Sequence, residues 1–261
     1  MRAEGGNPAS GGRSGSSGRR RLPWAVLFAG LIVAATVAPP AAAWSVSDEA
    51  TRADFEAFHG RFASSAYAYP RHGAAPLGLI GFDVWAEVAV DEDFADQPFF
   101  AGAVDGDLTG DLLLVGRVGA RKGLPGGIDL GLSYAEALEG DVELVSAELG
   151  WAIIDGGLIS PTLGLRLTGT RSVGSGPYEL DQYGAEILLS KGFAVLTPYV
   201  GGGVVYSEGR LERAAGDVFE TDDTRFVAYA GLTLNLVLPK ITVEVERGEA
   251  VTGAIRVAFG F

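Results

Sequence analysis

From Thr224 to the end of the chain nearly every second residue is apolar, and no other feature of this sequence narrows the possible folds as far. Phe226, Ala228, Ala230, Leu232, Leu234 and Leu236 occupy one set of positions, and Arg225, Tyr229, Gly231, Thr233 and Asn235 the other. After the break at 237–240, Ile241, Val243 and Val245 alternate with Thr242, Glu244 and Glu246. In the last stretch Ile255, Val257, Phe259 and Phe261 oppose Thr252, Ala254, Arg256, Ala258 and Gly260. A period of two is the signature of a strand with one greasy and one polar or small face. The same alternation runs upstream through 77–91, 112–122, 128–135, 142–154, 162–170 and 178–191, and through the glycine-rich 196–206. Gly/Pro turns such as Leu124-Pro125-Gly126-Gly127 and Asp155-Gly156-Gly157 separate several of these stretches, and Ser207 to Asp223 reads as a polar loop.

The chain ends on Phe261, two residues after Phe259, at the close of a strand that also carries Ile255 and Val257. This ending resembles that of bacterial outer-membrane β-barrels, and the resemblance implies that Phe259 and Phe261 serve as a signal to the barrel assembly machinery. The pieces KGLPGGIDLG (122–131) and SKGFAVLTPYVG (190–201) are similar to segments of small, uncharacterised proteobacterial outer-membrane barrels. That family brings no catalytic residues to carry over. The expected fold is all-β: a single antiparallel up-and-down transmembrane β-barrel of about ten strands over residues 77–261. Eight or twelve strands are the alternatives, if 196–206 or the acidic connection Glu92 to Asp111 divides differently.

The start of the chain points the same way. Arg19-Arg20-Arg21 precede an apolar run from Trp24 to Val37 and an Ala41-Ala42-Ala43 exit, the layout of a secretory signal peptide over 1–43. The run is short for a membrane-spanning helix, the surroundings of the arginines fit twin-arginine export poorly, and ordinary Sec secretion is expected. With no cysteine in the chain a lipoprotein anchor is excluded. Residues 1–43 take five arginines and Glu4 with them, leaving 15 basic and 32 acidic residues, a formal net charge of −17. Such a balance argues against nucleic acid or anionic phospholipid as partners. The expected location is the outer membrane of a Gram-negative bacterium, with outer-membrane lipid and lipopolysaccharide as surroundings and the protein a monomer.

Residues 44–76 break the pattern. Phe55, Phe58 and Phe62 recur at helical spacing among charged residues, which predicts a short amphipathic helix. We expect a periplasmic cap and linker lying against the barrel mouth, with a plug inside the lumen or an interfacial helix as alternatives. Within the barrel, the small or polar face holds charges of both signs. Glu148, Arg166 and Glu186 fall on successive strands, as do Arg225, Glu244 or Glu246, and Arg256, so that two cross-strand ionic ladders are expected in a largely filled lumen. Phe82, Tyr134, Trp151, Tyr183, Phe226 and Phe259 lie on the greasy face near strand ends, as an interfacial girdle would.

Candidate chemistry is sparse. His59 and His72 are the only histidines and have no ligand cluster beside them in sequence, so a His-dependent mechanism in the barrel is hard to build. Asp105, Asp107 and Asp111 resemble the opening of a calcium loop, but the twelfth place is Gly116 where a bidentate glutamate belongs. Asp91, Glu92, Asp93 and Asp96 offer a separate route for divalent ions to bridge to lipopolysaccharide phosphates. No cofactor is expected. The functional expectation is a non-enzymatic surface or structural protein, with a narrow diffusion channel and then a loop-based enzyme as rivals.

Overall fold

A computed structural model describes residues 44–108, 111–157, 159–174, 176–236 and 238–261; the expected signal peptide lies outside them. In chain order the elements are β1 (Trp44–Val46), α1 (Arg52–Ser65), β2 (Phe82–Asp91), α2 (Phe100–Ala103), β3 (Val104–Gly106), β4 (Leu113–Leu124), β5 (Ile128–Ala137) and β6 (Glu143–Ile154). They continue with β7 (Thr162–Ser172), β8 (Tyr178–Ser190), β9 (Leu196–Glu212), β10 (Val218–Asn235), β11 (Lys240–Arg247) and β12 (Val251–Gly260).

Ten of these strands form one closed antiparallel barrel. Each pairs with its sequence neighbour, and β12 closes on β2 through pairs such as Arg256 with Glu87 and Phe259 with Val84. Closure leaves no unpaired edge, which is the condition for a sheet to cross lipid, where no water is present to satisfy backbone groups. Among the described residues no helix is long and apolar enough to cross a membrane.

The alternation sorts outward and inward residues as a membrane barrel requires. Leu132 is 66% exposed, Ile187 58% and Phe226 84%, while Arg166, Glu186 and Glu244 are all below 5%. The six girdle aromatics all face outward, with Phe82, Trp151 and Phe259 toward the C-terminal end and Tyr134, Tyr183 and Phe226 toward the other. The aliphatic side chains are therefore outside and the ionic ones inside, opposite to a water-soluble barrel.

Three boundaries differ from the sequence reading. The first barrel strand begins at Phe82, because Gly78, at φ +77°, turns the preceding residues and the Gly81 amide bonds the Gly78 carbonyl at 3.0 Å. The expected loop Ser207 to Asp223 is mostly strand: β9 and β10 stay paired from Leu234 with Leu196 up to Val218 with Glu212. Its outward residues are polar because this part of the hairpin projects past the apolar band, so polarity there reports water and not the absence of a strand. The helix α1, expected as a cap against the mouth, lies within the distal mouth: Phe55, Phe58 and Phe62 are fully buried, meeting Tyr178 of the barrel wall on one side, while Phe58 and Phe62 meet Trp44, Phe94 and Phe99 of the segments that cover them on the other.

The connections 125–127, 155–161, 191–195 and 236–239 share one end with the C-terminus; 92–112, 138–142, 173–177, 213–217 and 248–250 lie at the other, distal end. β1 pairs with β3 within connection 92–112, so Trp44 is at the distal end. β2 starts at the C-terminal end. The chain between them runs down the lumen.

Candidate functional site: a lumen closed by the N-terminal segment

Thr51 caps α1, accepting from the Asp54 amide at 3.2 Å while its hydroxyl donates to the Asp54 carboxylate at 2.6 Å. The helix places Phe58 in a stack on Phe62 at 5.3 Å, and both rings meet Tyr178 edge-on. His59 lies between the Tyr178 hydroxyl (2.8 Å) and the Ser207 hydroxyl (3.1 Å). Gly209 faces that ring, and a Cβ there would collide with it.

Beyond Ser65 the chain is irregular yet buried, and its main-chain polar groups need partners. Inward side chains of the barrel supply them. On the last turns of α1 Arg225 donates to the Gly60 carbonyl (3.1 Å) and Gln182 to Ala63 (2.7 Å), and beyond the helix Arg117 donates to Ala66 (2.7 Å), Arg166 to Ala68 (2.5 Å) and Arg256 to Pro70 (2.9 Å). Ser190 then accepts from the Ala74 amide at 2.9 Å and Asp129 from the Leu77 amide at 3.1 Å. Seven side chains from six strands thus hold one segment at successive heights.

The segment's own side chains complete the lock. Arg71, 1% exposed, is ion-paired to Glu87 and, at 2.6 Å, to Glu246, with Glu244 at 3.9 Å. Tyr67 donates to Glu186 and bonds Thr168 at 2.8 Å, in the space left by Gly184, whose missing Cβ would fall on the Tyr67 hydroxyl. Tyr229 donates to the second oxygen of Glu186 at 3.0 Å. Arg61 and Ser65 bind the buried Asp91, at 2.7 Å from Arg61 Nε and 2.7 Å from the Ser65 hydroxyl. What remains beside Trp85, Arg117, Glu148, Arg166 and Arg256 is a void of about 10 Å³, room for about one water.

Of the expected ladders, Glu148, Arg166 and Glu186 come together: Arg166 donates to Glu148 at 2.8 and 3.0 Å and to Glu186 at 3.2 Å. The second ladder does not form. Arg225 lies beyond the reach of β11, which first pairs with β10 at Ala228, and it bonds Asp223 at 2.9 Å instead. Glu244 and Glu246 gather on Arg71, and Arg256 stacks over Trp85 at 4.2 Å. Sequence reasoning missed Arg71, Glu87, Arg117, Arg121, Asp83 and Asp129. Five of these sit at inward positions of alternating strands and were open to the same reading; Arg71 sits in an aperiodic segment and was not.

Asp105, Asp107 and Asp111 are exposed and Asp105 is paired with Ser45 in the β1–β3 ribbon. Among the described residues no three acidic or histidine side chains converge as a metal set. Asp91 turns inward to Arg61 and is not available to bridge ions at the surface. Phe259 and Phe261 are exposed on the outer face and at the C-terminal rim.

A closed barrel with an aliphatic exterior and an ionic interior defines a class: this is an outer-membrane β-barrel protein. Solved structures with a like fold include the attachment invasion locus protein Ail of Yersinia pestis, with 12% identity over 69% of this chain and 97% of that one and a TM-score of 0.30. The KdgM porin gives 10% identity over 70% and 99% with a TM-score of 0.35, and the Acinetobacter baumannii outer membrane protein Omp33 gives 6% over 73% and 100% with 0.32. No protein-family model and no curated sequence matches the chain.

Proposed function

We propose that this protein is a plugged, non-conducting and non-enzymatic outer-membrane barrel, a surface or structural protein whose ionic lumen serves to hold its own N-terminal segment. The observation that carries this reading is that five inward side chains on β4, β7, β8, β10 and β12 all donate to main-chain carbonyls of one segment. Charges spent in this way are not available to select solutes, which separates a lock from a filter. Both histidines are engaged internally, His59 with Tyr178 and Ser207 and His72 with Arg121, which favours the non-enzymatic reading. In this reading the protein works as a monomer amid outer-membrane lipid and lipopolysaccharide after insertion by the assembly machinery, without nucleic acid.

The test is electrical. Full-length mature protein refolded into a planar bilayer is expected to give no discrete current steps. Steady steps in the unaltered protein that shift when Arg166 or Arg256 is neutralised would establish the rival reading, a narrow diffusion channel.

A further inference from the structure

Between the plug and the C-terminal rim the lumen opens into a cleft of about 200 Å³, and its walls carry more positive than negative charge. Arg121, Arg256 and Lys240 line it from three strands, and Asp83 is the carboxylate among them, with Thr197 and Asn235 adding neutral polar groups. Arg71 also reaches the wall, but Glu87, Glu244 and Glu246 compensate it from behind.

The ion pairs at this mouth do not close. Asp83 takes both Lys240, at 2.8 Å, and Arg121, at 3.3 Å. Asp129 stands 4.0 Å from Arg121 and is already engaged by the Leu77 amide. Arg256, 3% exposed, bonds the Pro70 carbonyl and covers the Trp85 ring, and no carboxylate among the described residues lies within ion-pair distance of it. The buried Nε of Arg121 has no hydrogen-bond partner. A guanidinium taken out of water without a counter-charge is costly, and an oxyanion is the ligand that relieves it, since its oxygens match the planar donor fork.

The geometry points to this cleft as a binding site for a small oxyanion, a phosphate or carboxylate group entering from the C-terminal end and held by Arg121, Arg256 and Lys240. The claim is separate from the closure of the lumen, because the cleft lies on the open side of the plug. Two sources present that chemistry: a free anion in the adjoining compartment, or the headgroup of an anionic phospholipid in the facing leaflet.

The experiment titrates detergent-solubilised full-length mature protein with inorganic phosphate by calorimetry, at constant ionic strength set with chloride. One-to-one binding is expected, and Lys240→Gln, at the partly exposed rim and with its fold checked by circular dichroism, is expected to weaken it about tenfold, the loss of one charge-assisted hydrogen bond. Arg121→Gln is expected to weaken it at least as much, with its fold checked by circular dichroism. Repeating the titration in nanodiscs separates the sources: weaker phosphate binding in phosphatidylglycerol than in phosphatidylcholine identifies a competing headgroup, and equal binding identifies the free anion. Absence of phosphate heat in detergent and in both nanodiscs, or affinity unchanged in Lys240→Gln, overturns the proposal.

Discussion

At the scale of single residues the closure rests on a few side chains that have no alternative partners. Arg71 enters a region where β2 and β11 present three glutamates, and removing it leaves those carboxylates with Arg117, 3.6 Å from Glu87, as the remaining nearby cation. Deleting one member of a buried ionic cluster strands the others, at a cost of about 3–5 kcal/mol. Arg71→Ala is accordingly expected to lower the unfolding free energy of the refolded barrel, measured by urea titration, by an amount in that range, and an unchanged midpoint would mean that the cluster does not hold the plug. Gly184 tests the same contact by shape. Its site on β8 is filled by the Tyr67 hydroxyl, so Gly184→Val must displace that ring from Glu186 and Thr168. Overpacking of this kind costs about 1–3 kcal/mol, to be read as a lower thermal unfolding temperature, whereas an outward position such as Ala185 is expected to accept valine with little change.

At the scale of elements, the strands were legible in the sequence wherever one face meets lipid and the other does not. Phe226, Ala228, Ala230 and Leu232 announce β10 because their neighbours Arg225, Tyr229 and Thr233 look inward. The upper half of the same hairpin was hidden because the contrast vanishes: Glu208, Arg210, Glu220 and Asp222 stand in water, and only Leu211, fully buried, and the half-buried Phe219 mark the inner face. Of the candidate site, the Glu148, Arg166 and Glu186 group followed from alternation alone. The path of residues 66–77 did not, because its order comes from main-chain groups bonded to side chains far along the sequence, which leaves no local period. The lipid face itself is open to test. Leu132 lies in the middle of β5, two-thirds exposed, and Leu132→Arg there is expected to destabilise the barrel by about 2–4 kcal/mol in lipid. Equal stability of the two forms would place that face against something other than acyl chains.

At the scale of the whole molecule, two design problems are solved by one segment. A ten-stranded barrel that crosses lipid encloses a polar interior, and an irregular chain that is buried must find partners for its backbone. Here each answers the other: the inward arginines, glutamine, serine and aspartate satisfy the N-terminal segment, and the segment fills the space and brings Arg71 to the glutamates of β2 and β11. The chain thereby enters at the distal end, where β1 pairs with β3, and leaves the lumen at the end where β2 begins and the C-terminus lies. Amide hydrogen exchange of the mature protein in nanodiscs measures this arrangement most directly. Peptides covering 59–77 are expected to exchange as slowly as peptides from β7 and β8, since the barrel wall encloses them; exchange of that segment at the rate of a free peptide, while the strands stay protected, would contradict the closed lumen.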